Sequence, residues 1–280
     1  MMRQIATNRP ESTMSARPRP AEAAPILLRH DRDGIATLTL NRPDAHNALS
    51  RPLMTEIQAE LDRLRDDDAI KAVVIAAAGA TFCSGHDLKE IRATPGRDAY
   101  AALFAQCSRM MQSIVLLPKP VIARVQGTAT AAGCQFVASC DLAVASSAAR
   151  FATPGVNIGL FCSTPMVALS RNVSRKQAME MLLLGELLDA DTALRFGLVN
   201  RVVPPAALDE TVWDFALKIA AKSPLTLRIG KEAFYRQIEL DLAAAYDYAS
   251  TVMTDNMLAR DAEEGIDAFL GKRTPTWRGC

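Results

Sequence analysis

Two short stretches of the chain share one plan: FCSGHDLKE at residues 82–90 and GTATAAGCQ at residues 127–135. Each follows an apolar segment typical of a buried strand, KAVVIA at 71–76 and VIARV at 121–125. Each then places small residues in a turn that leads into a predicted helix. Strands that alternate with helices at this short spacing indicate an α/β layered fold.

The same alternation extends outward from these stretches. IATLTL at 35–40 alternates apolar residues with Thr, as a half-buried strand does, and a helix is predicted from about Ser50, a suitable N-cap. The second half of the chain is mostly helical, with one short strand predicted at 198–203. We therefore expect an α/β core over residues 26–205 and a helical C-terminal region over residues 206–280.

Composition excludes several classes of protein. The chain has 280 residues, of which 49% are hydrophobic, which is enough to bury a sizeable core. Its 32 Lys and Arg residues nearly balance its 31 Asp and Glu residues, so a nucleic-acid-binding surface is not expected. The apolar runs are far shorter than the roughly 20 residues that span a bilayer. The six cysteines form no CxxC pair and there are only three histidines, so neither a metal site nor a structural disulfide is expected.

Residues 1–25 differ from the rest of the chain. They contain four prolines and no hydrophobic periodicity, which predicts a disordered tail. Arginine-rich, acid-poor composition is also found in organellar transit peptides, but the prolines disfavour the amphipathic helix that such peptides form.

The two small-residue turns can be interpreted in two ways. Backbone N–H groups at the start of a helix lack intrahelical acceptors, so two such turns that face each other could supply two hydrogen bonds to one carbonyl oxygen. Small residues after a strand are also common wherever elements pack tightly. Spacing alone does not decide between these interpretations.

Four segments of the chain together resemble the enoyl-CoA hydratase/isomerase (crotonase) superfamily, in order and with matching spacing. They are NRPDAHNALS (41–50), FCSGHDLKEI (82–91), QGTATAAGCQFVASCDLAVAS (126–146) and RFATPGVNIGLF (150–161). The similarity runs from about residue 26 to 273 and is greatest to a hydratase-domain-containing subgroup that lacks the usual catalytic glutamates. It implies an α/β crotonase (ClpP/crotonase-like) spiral of ββα units with a helical C-terminal trimerisation region.

The resemblance also implies a chemistry, the stabilisation of a thioester enolate on an acyl-CoA. The two oxyanion N–H donors would be those of His86 and Ala132. The two glutamates of the hydratases fall on Gln135 and Gly155, and a third family position with a catalytic Asp falls on Ser163. Neither an amide nor a glycine can take a proton from water, so we expect weak hydration of crotonyl-CoA and partial recovery when both glutamates are restored.

Three functions therefore stay open. The first is an enoyl-CoA hydratase-like lyase, the second a different acyl-CoA chemistry such as thioester hydrolysis or decarboxylation, and the third a non-catalytic acyl-CoA-binding or modulating protein. The side chain of His86 is expected to cover its turn, with an imidazole general base as the alternative.

The resemblance implies that coenzyme A binds along the first turn and that no cofactor is needed besides the coenzyme A of the substrate. The implied contact residues are Arg42, Asp44, Ser84, Asp87, Leu88, Lys89, Phe269 and Lys272, the last two often from a neighbouring subunit. Because residues 206–270 carry more apolar positions than one domain would hide, we expect a homotrimer or a hexamer. The expected compartment is the bacterial cytoplasm, with the mitochondrial matrix as the alternative.

Overall fold

The computed structural model describes residues 24–280, so the tail predicted at 1–25 lies almost entirely outside the described residues. Within them the strands are β1 Leu27–Arg32, β2 Ile35–Leu40, β3 Ala72–Ala77, β4 Thr81–Cys83, β5 Val121–Val125, β6 Thr128–Thr130, β7 Leu142–Ser146, β8 Arg150–Ala152, β9 Leu188–Asp189 and β10 Arg201–Val203. The α-helices are α1 Arg51–Arg65, α2 Leu88–Ala93, α3 Arg97–Val115, α4 Ala132–Ser139, α5 Pro165–Leu169, α6 Arg175–Leu184, α7 Ala190–Phe196, α8 Leu208–Ala220, α9 Pro224–Gln237, α10 Leu242–Met257 and α11 Arg260–Leu270.

The strands form two sheets. The larger sheet has the order β1-β2-β3-β5-β7-β10, with only the β1–β2 pair antiparallel. The smaller sheet has the order β4-β6-β8-β9, with only the β8–β9 pair antiparallel. Three successive strand pairs, β3–β4, β5–β6 and β7–β8, therefore each place one strand in each sheet. Helices follow each pair, which is the predicted spiral of ββα units.

The hydrophobic core lies on both faces of the larger sheet. One face and the smaller sheet pack against α1, α3 and α4, and this cluster contains fully buried residues such as Leu38, Ile57 and Phe136. The opposite face packs against α8 through Leu208 and Val212. Helix α8, the first helix of the region predicted for oligomerisation, thus covers the sheet. The remaining helices of that region are α9, α10 and α11.

A buried ion pair anchors α9 to the core. Lys231 Nζ donates to Asp141 Oδ2 at 2.6 Å and to the backbone oxygens of Ile114 and Lys119, each at 3.0 Å. Asp141 also accepts from the Tyr235 hydroxyl at 2.9 Å. Asp141 therefore has a structural role, since it holds α9 against the core.

The helices α9, α10 and α11 expose many large apolar side chains. Leu258 is 83% exposed, Phe269 82% and Leu242 75%. No helix within residues 24–280 is both long enough and apolar enough to cross a membrane.

Candidate active site

The two small-residue turns meet directly. A Cβ atom on Gly85 would lie 2.9 Å from the Cβ of Ala131 and 3.3 Å from the backbone nitrogen of Ala132, and Gly85 has φ +94°. A Cβ atom on Gly133 would lie 2.1 Å from the backbone oxygen of Cys83. Only glycine allows the two backbones to approach this closely, so both glycines are required for the contact between the turns.

Two backbone N–H groups are left without acceptors at this contact. Ala132 is the first residue of α4, so its N–H has no intrahelical acceptor. Within residues 24–280 neither its N–H nor that of His86 donates to another group, whereas Asp87 N–H donates to the oxygen of Leu49 at 3.3 Å. The N–H of Ala131 likewise donates, to the oxygen of Ala152 at 2.9 Å. A carbonyl oxygen placed between the two turns could accept from both N–H groups, and this oxyanion role stays a prediction.

Ala131 adopts an unusual backbone conformation at the start of α4. Its φ of 51° and ψ of −119° lie in a region that favours glycine, and its methyl group packs against Gly85. Strained residues of this kind persist where the surrounding structure holds them, and they cluster at functional sites.

The His86 ring is enclosed beside the contact between the two turns. It packs edge-on against Phe104, with 5.6 Å between ring centroids, and neither ring nitrogen has a hydrogen-bond partner among the described residues. Burial lowers the pKa of His86, so the imidazole is neutral at pH 7. The structure thus places the ring against Phe104, and both expectations for it, a covering side chain and a general base, stay predictions.

The two positions that carry glutamate in hydratases differ in their surroundings. Gln135 lies one turn into α4, is only 4% exposed, and its Oε1 has no hydrogen-bond partner among the described residues. A Cβ atom on Gly155 would lie 2.6 Å from the backbone oxygen of Leu160 and 2.9 Å from Cys162 Sγ. A glutamate at 155 would therefore need the Leu160–Cys162 segment to shift, which counts against the recovery of hydration expected when both glutamates are restored; that recovery stays a prediction.

Cys162 occupies the space next to Gly155. Burial raises the pKa of its thiol above the usual value, although the nearby Gly155 backbone acts in the opposite direction. Ser163 is exposed, and its hydroxyl donates to the oxygen of Phe161 at 3.3 Å. Neither side chain supplies a carboxylate in place of the two that are missing. Within the described part of the chain, no group of three His, Cys, Asp or Glu residues could hold a metal ion.

The residues predicted to contact coenzyme A divide into two groups. The first group surrounds the start of α2 and comprises Arg42, Ser84, Asp87, Leu88 and Lys89, with Asp44 in a nearby 3₁₀ turn. Arg42 Nη2 forms an ion pair with Asp87 Oδ2 at 3.0 Å and also donates from Nη1 to the oxygen of Ala48 at 2.5 Å. Burial alone would raise the pKa of Asp87, but the hydrogen bonds from Arg42 and from two backbone N–H groups of α2 hold it below its usual range.

The second group lies elsewhere in the chain. Phe269 lies in the last turn of α11 and Lys272 just beyond it, and α11 packs against α9 and α10. Their assignment to coenzyme A, with the contacts often made from a neighbouring subunit, stays a prediction.

Comparisons with known proteins agree with this architecture. Residues 30–280 match the family described as Enoyl-CoA hydratase/isomerase. The chain is 47% identical over 264 residues to the enoyl-CoA hydratase domain-containing protein 3, mitochondrial, of Rattus norvegicus, which covers 94% of this chain and 88% of that protein. The fold of this chain matches the crystal structure of an enoyl-CoA hydratase from Mycobacterium smegmatis with a TM-score of 0.89 and 55% sequence identity, and the match covers 90% of this chain and 99% of that one. The crystal structure of the human enoyl-CoA hydratase domain-containing protein 3 matches with a TM-score of 0.88 and 48% sequence identity, and the match covers 90% of this chain and 100% of that one.

Proposed function

Because the chain belongs to the enoyl-CoA hydratase/isomerase family and has the crotonase fold, we propose that it binds acyl-CoA thioesters and stabilises their enolates with the backbone N–H groups of His86 and Ala132. The observation that carries the proposal is the contact between the two turns, beside which both N–H groups lack acceptors within the described residues. Donors of this kind are worth about 3 to 4 kcal/mol each in a transition state. Coenzyme A enters as part of the substrate, so the proposed chemistry requires no resident cofactor.

The proposed chemistry differs from hydration by two carboxylates. Water addition requires one group to take a proton and another to deliver it, and each such group is worth about 10²- to 10⁴-fold in rate. Gln135 cannot take a proton, and the space beside Gly155 is filled by Cys162 and the backbone of Leu160. Stabilising the oxygen of an enolate requires hydrogen-bond donors, which the backbone N–H groups of His86 and Ala132 would supply, and loss of carbon dioxide from a carboxylated acyl group forms an enolate without a protein base.

Two alternatives use the same site. Thioester hydrolysis or decarboxylation would use the oxyanion donors without two glutamates, and a non-catalytic acyl-CoA-binding or modulating protein would use them for binding alone. A panel of CoA thioesters analysed by mass spectrometry separates hydration, hydrolysis, decarboxylation and binding without turnover.

Substitutions at residue 86 test the donor itself. We expect His86→Pro to abolish turnover of whichever thioester reacts, because proline has no N–H, and His86→Ala to be mild. Circular dichroism and coenzyme A binding would show that the proline variant is folded. Equal damage by alanine would instead identify the imidazole as the catalytic group.

We also propose that the chain assembles as a homotrimer or hexamer through α9, α10 and α11. The exposure of Leu242, Leu258 and Phe269 supports this, since single domains rarely leave such a surface uncovered. A monomer in light scattering at micromolar concentration would contradict it.

The names of mitochondrial relatives favour a location in the mitochondrial matrix, and a location in the bacterial cytoplasm stays a prediction. A fluorescent fusion of the intact chain expressed in cells tests the compartment.

A further inference from the structure

The chain folds back along α11 after that helix ends. Lys272 has φ 51°, a left-handed conformation that reverses the backbone, and the residues after it run beside α11 toward its start. Arg273 donates to both carboxylate oxygens of Glu264, at 2.6 and 2.8 Å, and the Thr276 N–H donates to Oε1 of Glu264 at 2.7 Å. Glu264 thus holds the first part of this returning segment, residues 273–279, which we call the strap.

Asp261 holds the other end of the strap. It is only 2% exposed, and its carboxylate accepts the N–H groups of Arg278 at 2.7 Å and of Gly279 at 3.0 Å. The same carboxylate accepts the hydroxyl of Ser223 at 2.6 Å, and Ser223 is the N-cap residue of α9. A buried carboxylate is costly unless its oxygens are paired. Because the strap supplies two of these three hydrogen bonds, it helps Asp261 to join α9 to α11.

Trp277 fixes the middle of the strap. Its Nε1–H donates to the backbone oxygen of Ala221, the residue that ends α8, at 2.8 Å. Its ring lies against Gly265, where a Cβ atom would be 3.2 Å from two ring carbons. Glycine inside a helix lowers the stability of that helix, so the close approach of the ring accounts for a glycine in the interior of α11.

An apolar groove of about 530 Å³ lies between α9, α10 and α11, and Trp277 forms part of its wall. Helix α10 contributes Met253, which is 63% exposed, and α11 contributes Phe269 and Leu270, which are 82% and 73% exposed. These side chains belong to the surface that is proposed above for assembly. Because the strap carries one wall of the groove, the groove has this shape only while the strap is seated on α11.

We propose that assembly of the chain depends on the strap. When Asp261 and Glu264 seat it, the strap completes the groove that a second copy of this chain covers. The inference rests on the proposed assembly through α9, α10 and α11. A second copy is the occupant because the groove continues the exposed apolar surface of these helices, and because interfaces between identical chains are more apolar than transient ones.

Sedimentation velocity over a dilution series measures the protein concentration at which half of the assembly is dissociated. Trp277→Ala should raise this concentration about 10- to 100-fold, because a large aromatic side chain in the wall of an interface commonly carries much of the binding free energy. Glu264→Gln leaves every side chain that lines the groove in place. It should still raise the concentration about 3-fold or more, because it weakens the charged hydrogen bonds that hold the strap.

Two matched controls make the same chemical changes elsewhere. Trp213→Ala removes the other tryptophan of the chain, which lies on α8 beneath Arg32, and Glu263→Gln alters the exposed neighbour of Glu264. Both should leave the half-dissociation concentration within about 2-fold of the wild type. In a Trp213→Phe background, Trp277 is the single tryptophan, and Glu264→Gln should move its emission to longer wavelength as the strap loosens.

Wild-type assembly of Glu264→Gln would overturn the inference, whether or not the Trp277 emission moves, because the indole would then act only by direct contact. Equal weakening by the two control variants would overturn it as well, since it would reflect a general loss of stability. A wild-type protein that stays monomeric at every concentration would instead refute the proposed assembly itself.

Discussion

Adding a single methyl group at residue 155 tests whether the space for a second acid is filled. In Gly155→Ala the new carbon would lie 2.6 Å from the backbone oxygen of Leu160, whereas ordinary contacts begin at 3.4 Å. The loop cannot simply move away, because the N–H of Leu160 donates to the oxygen of Gly155 at 2.9 Å. Overpacking of this kind costs about 1 to 3 kcal/mol, which lowers Tm by about 2 to 12 °C for a chain of this size.

Gly230→Ala is the matched control for this substitution. Gly230 lies within α9, and a Cβ atom there would have no neighbour within 4 Å. Alanine should raise the stability of the helix by about 0.5 to 1 kcal/mol. Differential scanning fluorimetry of both variants at equal protein concentration measures the contrast. A Tm of Gly155→Ala at or above that of the wild type would show that the loop moves freely and would refute the reasoning.

Three further predictions follow from individual contacts. Ala131→Gly should raise the free energy of unfolding in urea by about 0.5 to 2 kcal/mol. Glycine relieves the strain at φ 51°, and this gain outweighs the loss that comes from its greater freedom in the unfolded chain. An unchanged or lower stability would contradict this. Lys231→Met should lower the free energy of unfolding by about 3 to 5 kcal/mol, because it leaves Asp141 buried without its partner. Lys218→Met, which breaks a surface ion pair, should lower it by at most about 1 kcal/mol, and similar losses in the two variants would refute the reasoning. Burial lowers the pKa of His86, so at acid pH the unfolded chain binds a proton that the folded chain does not. Stability should therefore fall as the pH drops below about 6.5, by more in the wild type than in His86→Gln, and identical pH curves would contradict this.

The alternation of apolar segments predicted most of the fold because periodicity reports directly which face of a strand or helix is buried. The strand at Ile35–Leu40 and the helix that Ser50 caps are both confirmed, and Leu53 N donates to Ser50 Oγ at 3.4 Å. The strand before them was missed, although Asp33-Gly34 forms the tight turn that joins β1 to β2. An Asp-Gly pair between two strands is a strong hairpin signal, so the sequence contained the information.

The candidate site was predictable only in part. The small residues of the two turns indicated that a backbone approaches something closely, but their spacing alone did not show that the two turns meet, as Gly85 and Ala132 do in the structure. The closure of Leu160 and Cys162 over Gly155 was not predictable, since it depends on how a loop folds back in space.

The central claim, that two backbone N–H groups hold the thioester carbonyl, can be measured by isotope-edited infrared spectroscopy of butyryl-CoA labelled with ¹³C at the carbonyl. On binding to the wild-type protein, the labelled carbonyl stretch should move to lower frequency, because two hydrogen bonds polarise the carbonyl. The shift should shrink in Ala132→Pro, since proline lacks an N–H but is tolerated as the first residue of a helix. A bound carbonyl that absorbs at its frequency in water, or a shift that Ala132→Pro leaves intact, would contradict the claim.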